Sequence, residues 1–331
     1  MTGEPKGNAP GNRSALSCSN VIRAYNEETH LGRLLSGIAR QNLKDVEVIL
    51  VDSGSTDATV SIAQGRWPFP VQVVQIQPEQ FTFGCSLNCG LARARHALVV
   101  IASAHVYPVY PDWLERLLAP FADPEVALAY GKQRGDNLTH FSEQQIFAQW
   151  FPEASQSRQK HPFCNNANAA IRRSLWLEHP YDETLSGLED LAWARWALEQ
   201  GWALAYVAEA EIIHVHAERP AGIYYRYRRE AMAFMHIFPQ ERFHFWDFLR
   251  LFASNAVHDA WQALRQRRLL ASLGSITWFR FVQFWGTYQG FRQSGPLTWQ
   301  LRQTFYYPRG LRSNQSIKLR DVEPIQYNDP A

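Results

Sequence analysis

The amino-acid sequence predicts an α/β protein: a mostly parallel central sheet flanked by helices, followed by a mainly helical extension. Three observations lead there. Short β-branched runs alternate with helix-spaced segments through the first hundred residues, one of those runs ends in an Asp and a glycine turn, and aromatic and basic residues crowd the last third. Strands joined by helical connections read as βαβ units, which set the strands parallel and put the ligand site at their carboxyl ends.

The elements follow in order. Residues 17–22 are apolar enough for a strand. Residues 28–41 carry Leu31, Leu34, Leu35 and Ile38 at helical spacing, and residues 46–51 form a β-branched run closed by Asp52, Ser53 and Gly54. A helix opening at Thr56-Asp57 comes next, then a strand at 71–76, a helix around 86–96 and a strand at 97–102. Residues 111–223 mix helices and strands, with a marked helix at 188–200 stopped by Gly201 and a strand at 212–215. Residues 224–293 read as mostly helical, with Gly274, Gly286 and Gly290 as interruptions.

Composition removes several classes. The 331 residues are 46% hydrophobic and 13% aromatic, which excludes a disordered or collagen-like chain. No run reaches the roughly 18 apolar residues of a spanning helix. The start is rich in Gly, Pro and Asn and lacks an apolar signal core, so residues 1–16 read as a flexible lead-in to a cytoplasmic chain. Cys18, Cys85, Cys89 and Cys164 show no C-x-x-C pairing and fit a reducing compartment, with Cys85 and Cys89 as small buried thiols on one helix face.

Charge is unevenly distributed. Residues 1–218 hold 17 Lys+Arg and 24 Asp+Glu, whereas residues 219–331 hold 16 and 7. A basic tail this aromatic suits nucleic acid, an anionic membrane surface or a phosphate-bearing lipid. Nucleic acid leaves the acidic first two thirds unexplained.

Several polar groups stand where apolar ones are cheaper. Asp52 ends a buried strand, where a carboxylate needs partners or a task; it suits a hydrogen bond from a base edge, with Asp57 near ribose or phosphate, and equally a turn cap. Asn26 and Glu27 end the first strand, where a turn and a helix start also explain them. Glu189 and Asp190 occupy the first turn of a helix, where negative charge is favoured in any case. In His214-Val215-His216 the two imidazoles share one strand face. Asn166 and Asn168 fit sugar or acceptor hydroxyls or a polar turn, and Arg226, Arg228 and Arg229 fit phosphates or a solvated face.

In order and separation these segments resemble the family 2 glycosyltransferases of the GT-A fold. Tyr25-Asn26-Glu27 is similar to the family's first strand end, and Val51-Asp52-Ser53-Gly54-Ser55-Thr56-Asp57 to its V-D-x-G-S-T-D run. The resemblance continues through residues 88–95, Asp112-Trp113-Leu114 and Gly187-Leu188-Glu189-Asp190, covering residues 17–235 and leaving 236–331 as a helical, basic and aromatic region. It implies that Ala24, Tyr25, Glu27 and Asp52 line the nucleotide pocket, with Asp52 on the base. It also implies that Asp190 is the base, oriented by Glu189.

The family's D-x-D is replaced by Ser103-Ala104-His105. Ser103 is a poor metal ligand and stays beside the donor. His105 stands at the last Asp's position and takes Mn²⁺ more readily than Mg²⁺. The resemblance lets His214 or His216 complete a divalent-cation site. The implied activity is inverting transfer from a nucleoside-diphosphate sugar to a glycan or lipid-linked acceptor in bacterial surface polysaccharide or glycolipid synthesis. The implied location is cytoplasmic, at the inner face of the membrane, with contact through the C-terminal region. The rival is a catalytically silent nucleotide-sugar-binding scaffold, which accounts for the missing D-x-D but gives Asp52 and Asp190 no reason to coexist.

Overall fold

Four parallel strands form one half of a nine-stranded sheet. The computed structural model describes residues 16–216, 218–292 and 322–327; most of the expected lead-in, and residues 293–321 and 328–331 of the tail, lie outside them. β1 (Cys18–Ala24), β2 (Val46–Asp52), β3 (Val71–Gln75) and β4 (Leu98–Ser103) lie in the order β3-β2-β1-β4. Every residue of β1 and β2 is buried, so neither alternates apolar with solvent-facing residues, and the buried Ser19 hydroxyl is satisfied by Glu47 at 2.6 Å.

Alternate side chains of these strands feed two cores. Ile22, Val48, Leu50 and Val100 pack with Leu31, Leu34, Leu35 and Ile38 of α1 (Glu28–Ala39). Val21, Ile49, Val51 and Ile101 point the other way, onto Leu87 and Leu91 of α3 (Phe83–Leu91). Each fully buried leucine contributes about 2 kcal/mol by leaving water. Two local bonds move helix starts from their expected places. The Thr82 hydroxyl accepts the Cys85 amide at 3.0 Å, so α3 begins at Phe83. Asp57 accepts the Thr59 amide, so α2 (Thr59–Ala63) begins later than Thr56.

Beyond β4 the sheet is mixed, because the strand-helix-strand period stops there. β8 (Asn168–Arg172) is antiparallel to β4, β6 (Val126–Arg134) is antiparallel to β8, and β9 (Ala203–His214) is parallel to β6. β5 (Val106–Pro108) and β7 (Gln156–Gln159) both run antiparallel to β9. β9 begins at Ala203, well ahead of the expected 212, since Leu204, Ala205 and Tyr206 are buried in the sheet beside β6.

The register brings chemistry to one edge. Ala24 pairs with Asp52 and Arg23 with Ser103, so β1, β2 and β4 end side by side where the strand order reverses. α5 (Phe141–Trp150), α7 (Glu189–Glu199) and α8 (Pro220–Ile237) close around that edge.

Two further helices, α9 (Phe245–Arg265) and α10 (Leu269–Arg292), form an antiparallel hairpin on α8 and α5. The glycines of α10 do not interrupt it. A Cβ on Gly286 would stand 2.5 Å from the Tyr224 carbonyl oxygen, and one on Gly290 would strike the Arg228 carbonyl. They are therefore where α8 and α10 approach most closely, a packing reason for glycine inside a helix. Among the described residues no helix is long and apolar enough to cross a membrane.

Candidate active site

Asp52 is fully buried at the end of β2, and its carboxylate accepts the Gly54 amide at 3.2 Å and the Ser55 amide at 3.2 to 3.3 Å. This ties the turn to the strand and holds the side chain at the sheet edge. Ala24 is buried beside it, while Tyr25 is 57% exposed on the rim. Asn26, at φ 53°, accepts the Thr56 amide at 2.8 Å and locks the two strand ends together. Of the two readings of Asp57, the structure favours the cap. Its oxygens accept the Glu28 amide at 3.1 Å and both the amide and the hydroxyl of Thr59, so it caps two helices rather than facing a ligand. Slight burial raises its pKa, but these hydrogen bonds outweigh that and hold it below the usual carboxylate value.

Glu27 points to a different partner from the one expected of it. Its carboxylate lies 2.7 Å from His105 Nδ1. His105 stacks on His214 with ring centroids 5.0 Å apart, and His105, His214 and His216 present ligand atoms within 4.8 Å of one another. Each ring is held through Nδ1 by an oxygen: Glu27 for His105, Gln133 for His214 at 2.8 Å and Glu143 for His216 at 2.8 Å. An ionised carboxylate only accepts, so the shorter contact to Glu143 favours a proton on His216 Nδ1 over acceptance from Arg226, 3.2 Å from the same nitrogen, and leaves Nε2 inward. The Nε2 atoms of His214 and His216 are 2.9 Å apart.

Two nitrogens each about 2.1 Å from one ion at a right angle are separated by roughly that distance. Burial pushes the His214 pKa well below its ordinary value, helped by His216, His105 and Arg226, which keeps this ring in the neutral form that metal ligation requires. Three imidazoles with carboxylates one shell out fit Mn²⁺ or another nitrogen-tolerant divalent ion, and fit Mg²⁺ poorly.

A neighbouring acidic cluster, Glu143, His216 and Glu218, does not suit a cation. Arg226 occupies it, donating to Glu143 at 2.7 Å and pairing with Glu218 at 2.5 Å. Burial alone would raise the Glu143 pKa, but Arg226 and His216 together hold it well below the carboxylate range. The sequence leaves Arg226 open between phosphate contact and a solvated face; at 2% exposure it is instead the counter-ion of this buried network.

Glu189 and Asp190 lie in the first turn of α7, set by Leu188 at φ 59°. Both are buried, at 4% and 6% exposure. Asp190 accepts the Asn166 amide at 3.0 Å and the Leu191 amide at 2.8 Å. Glu189 accepts from the Asn166 side chain at 3.3 Å and pairs with Arg23 at 3.5 Å. Burial, then the adjacent Glu189 charge, pushes the Asp190 pKa up to about 7 against the pull of those amides and Arg23. A carboxyl poised there accepts a proton near neutral pH.

A narrow cleft lies beside Asp190, lined among others by Arg23, Phe83, Asn166 and Arg229. The Phe83 ring lies between two guanidiniums, 4.5 Å from that of Arg23 and 4.9 Å from that of Arg229. Ser103 is buried at the end of β4. Arg228 turns its backbone to Gly286 and Gly290 of α10.

Asn168 is a correction. Its side chain takes the Trp113 indole at 2.9 Å and donates to the carbonyls of Lys132 and Ala210, so it is consumed inside the sheet and has nothing left for an acceptor. Gln133, Glu143, Arg23 and Phe83 were not singled out in the sequence. Nothing local marks them, since their partners lie 81, 73 and 166 residues away for the first three.

Residues 19–178 match the family model for glycosyl transferase family 2. The chain is 28% identical over 222 residues to the O-antigen chain rhamnosyltransferase RfbN of Salmonella typhimurium, covering 62% of this chain and 69% of that one. It is 23% identical over 220 residues to the glycosyltransferase AglE of Haloferax volcanii, covering 62% and 68%. In fold it is similar to the mannosyltransferase PcManGT of Pyrobaculum calidifontis, solved with GDP-Man and Mn²⁺, with a TM-score of 0.56, 20% identity and coverage of 91% and 89%. It is also similar to residues 1–349 of S. aureus TarS bound to UDP-GlcNAc, with a TM-score of 0.52, 16% identity and coverage of 93% and 98%. The family match, the relatives and the shared GT-A fold lead to one conclusion: residues 19–178 form a family 2 glycosyltransferase domain.

Proposed function

We propose that this glycosyltransferase moves a sugar from a nucleoside-diphosphate donor to a hydroxyl of a glycan or lipid-linked acceptor, with inversion, in the assembly of a bacterial surface polysaccharide. The observation that carries the reading is Asp190: a buried carboxyl with its pKa raised to about 7, at the mouth of a cleft beside the sheet edge. The O-antigen rhamnosyltransferases among its relatives support the product class.

In this reading Asp52, Ala24, Tyr25 and Ser103 receive the nucleotide at the ends of β1, β2 and β4. Asp190 takes the proton of the acceptor hydroxyl as that oxygen attacks the anomeric carbon from the face opposite the diphosphate. The C–O bond to the diphosphate breaks, and its electron pair leaves with the nucleotide. Glu189 and Asn166 hold Asp190 in place, and Arg229 supplies positive charge to the cleft. His105, His214 and His216 would hold a divalent cation, which when bound offsets the charge on the diphosphate. Glu27 serves that site by orienting His105. We further assign the chain to the inner face of the cytoplasmic membrane, which the basic, aromatic C-terminal region contacts.

The test is turnover of a panel of UDP, GDP and dTDP sugars with Mn²⁺ by the purified protein and by Asp190→Asn. One donor should be hydrolysed or transferred, and the variant should lose about 10²-fold or more in rate while still binding nucleotide. Folded protein that binds a donor but turns over none would favour the silent scaffold instead, and folded protein that binds no donor at all would overturn both readings. A variant that loses binding together with rate would make Asp190 a structural residue.

A further inference from the structure

The free end of the α9–α10 hairpin carries none of the residues of the site above. Trp261, Leu264, Leu270 and Leu273 there are 46%, 58%, 95% and 47% exposed. Between them the chain reverses at Arg267, which adopts the left-handed conformation at φ 56°. Arg265, Arg267 and Arg268 are all exposed, and the Arg265 guanidinium carbon lies 3.5 Å from the centre of the Trp261 ring.

The charge there is one-sided. Residues 248–292 contain six arginines and a single carboxylate, Asp259. Asp259 is fully buried and paired through both oxygens with Arg280, at 2.6 and 2.9 Å. The other acid of the hairpin, Asp247, sits at the opposite end of α9 and pairs with Arg250 at 3.3 Å, so the free end offers outward positive charge with no exposed acid beside it.

A single exposed leucine needs no explanation, but three leucines and a tryptophan within 13 residues, interleaved with three arginines, form a concentrated apolar patch with a cationic rim. Such a patch suits a surface that is apolar beneath and anionic above. Trp prefers the headgroup boundary, leucines enter the acyl region just below it, and guanidiniums fork onto lipid phosphates. Neither helix is apolar enough to span a bilayer, so the fit is to lying on one. A second copy of this chain is disfavoured, because a two-fold contact through this end would set the three arginines of each copy against those of the other.

We propose that the end of the α9–α10 hairpin docks the protein on an anionic lipid bilayer. Trp261, Leu264, Leu270 and Leu273 enter the headgroup boundary, and Arg265, Arg267 and Arg268 meet the lipid phosphates. This narrows, and rests on, the membrane contact in the functional reading above.

The test is co-sedimentation of the full chain with phosphatidylcholine vesicles, with and without about 30% phosphatidylglycerol. Binding should require the anionic lipid and fall away at about 0.5 M salt, where charge interactions are screened within a few ångströms. Arg265→Gln with Arg268→Gln, and separately Leu270→Ser with Leu273→Ser, should each lower partitioning by roughly 10-fold with melting temperature unchanged. Wild-type protein that sediments with neither vesicle overturns both this inference and the membrane contact itself. Wild-type binding that both double variants retain overturns the hairpin alone and moves the contact elsewhere in the tail. A dimer in light scattering that the leucine variant abolishes, without vesicle binding, makes the patch a contact between copies and overturns the proposal.

Discussion

Burial decides what Asp190 can do. At the start of an exposed helix its carboxyl would be acidic and a weak base; enclosed beside Glu189 it is pushed up to about 7. The acidic limb of the rate profile should accordingly rise through about pH 7, as read by initial rates from pH 5 to 9. The same shift has a cost in stability. Between its unfolded value and 7 the native state holds a proton that the unfolded chain has lost, so stability from this group is greatest at low pH and falls as pH rises to about 7. Asp190→Asn should therefore melt no lower than wild type at pH 8, and by an advantage that shrinks at pH 5, a few kcal/mol being the upper limit set by the shift. The new amide nitrogen facing a backbone N–H subtracts from that gain. At the histidine cluster, His214→Ala removes a neutral nitrogen held by Gln133. It should weaken Mn²⁺ binding by at least about 10-fold in a titration followed by electron paramagnetic resonance, and wild-type affinity in the variant would remove His214 from the metal site.

At the scale of elements, helices α5 and α8 matter more to the site than their sequences suggest. α5 contributes Glu143 and α8 contributes Arg226, and their buried pair holds His216 from behind. Glu143→Ala leaves the Arg226 guanidinium buried against only Glu218 and should cost about 3–5 kcal/mol in urea denaturation. A loss below 1 kcal/mol would mean that water reaches Arg226. The α8–α10 contact is the second dependence. A side chain larger than hydrogen at Gly286 meets the Tyr224 carbonyl, so Gly286→Val should destabilise by about 1–3 kcal/mol and displace α8. Because α8 also carries Arg226 and Arg229, turnover should fall with it, and unchanged rates in the folded variant would uncouple this packing from the site.

For the whole molecule, any donor that binds only the native state raises its melting point, by about 2.7 kcal/mol at a hundred times its dissociation constant. Thermal melts with UDP, GDP and dTDP, each with and without Mn²⁺, should show one nucleotide whose shift grows with the metal; equal shifts with and without Mn²⁺ would separate nucleotide binding from the histidines. Much of the fold was legible in the sequence because its cause is local. The fully buried β2 declares itself as a β-branched run, Leu31, Leu34, Leu35 and Ile38 mark a helix face by spacing alone, and the order of the motifs carries the family resemblance. The tail was legible as helical, but the role of its glycines was not, since only a neighbouring helix makes Gly286 and Gly290 necessary. Asp57 and Asn168 were ambiguous for the same reason: a short polar side chain has the same appearance in sequence whether it meets a ligand or a backbone amide. The sequence by itself determined which residues had the chemistry for a base, a nucleotide contact and a nitrogen-rich cation site. Only the tertiary structure decided that Asp190 is buried, that Glu27, Gln133 and Glu143 each anchor one histidine, and that Arg226 neutralises Glu143. Burial and pairing are properties of residues brought together from distant parts of the chain, and pKa and ligand geometry follow from them.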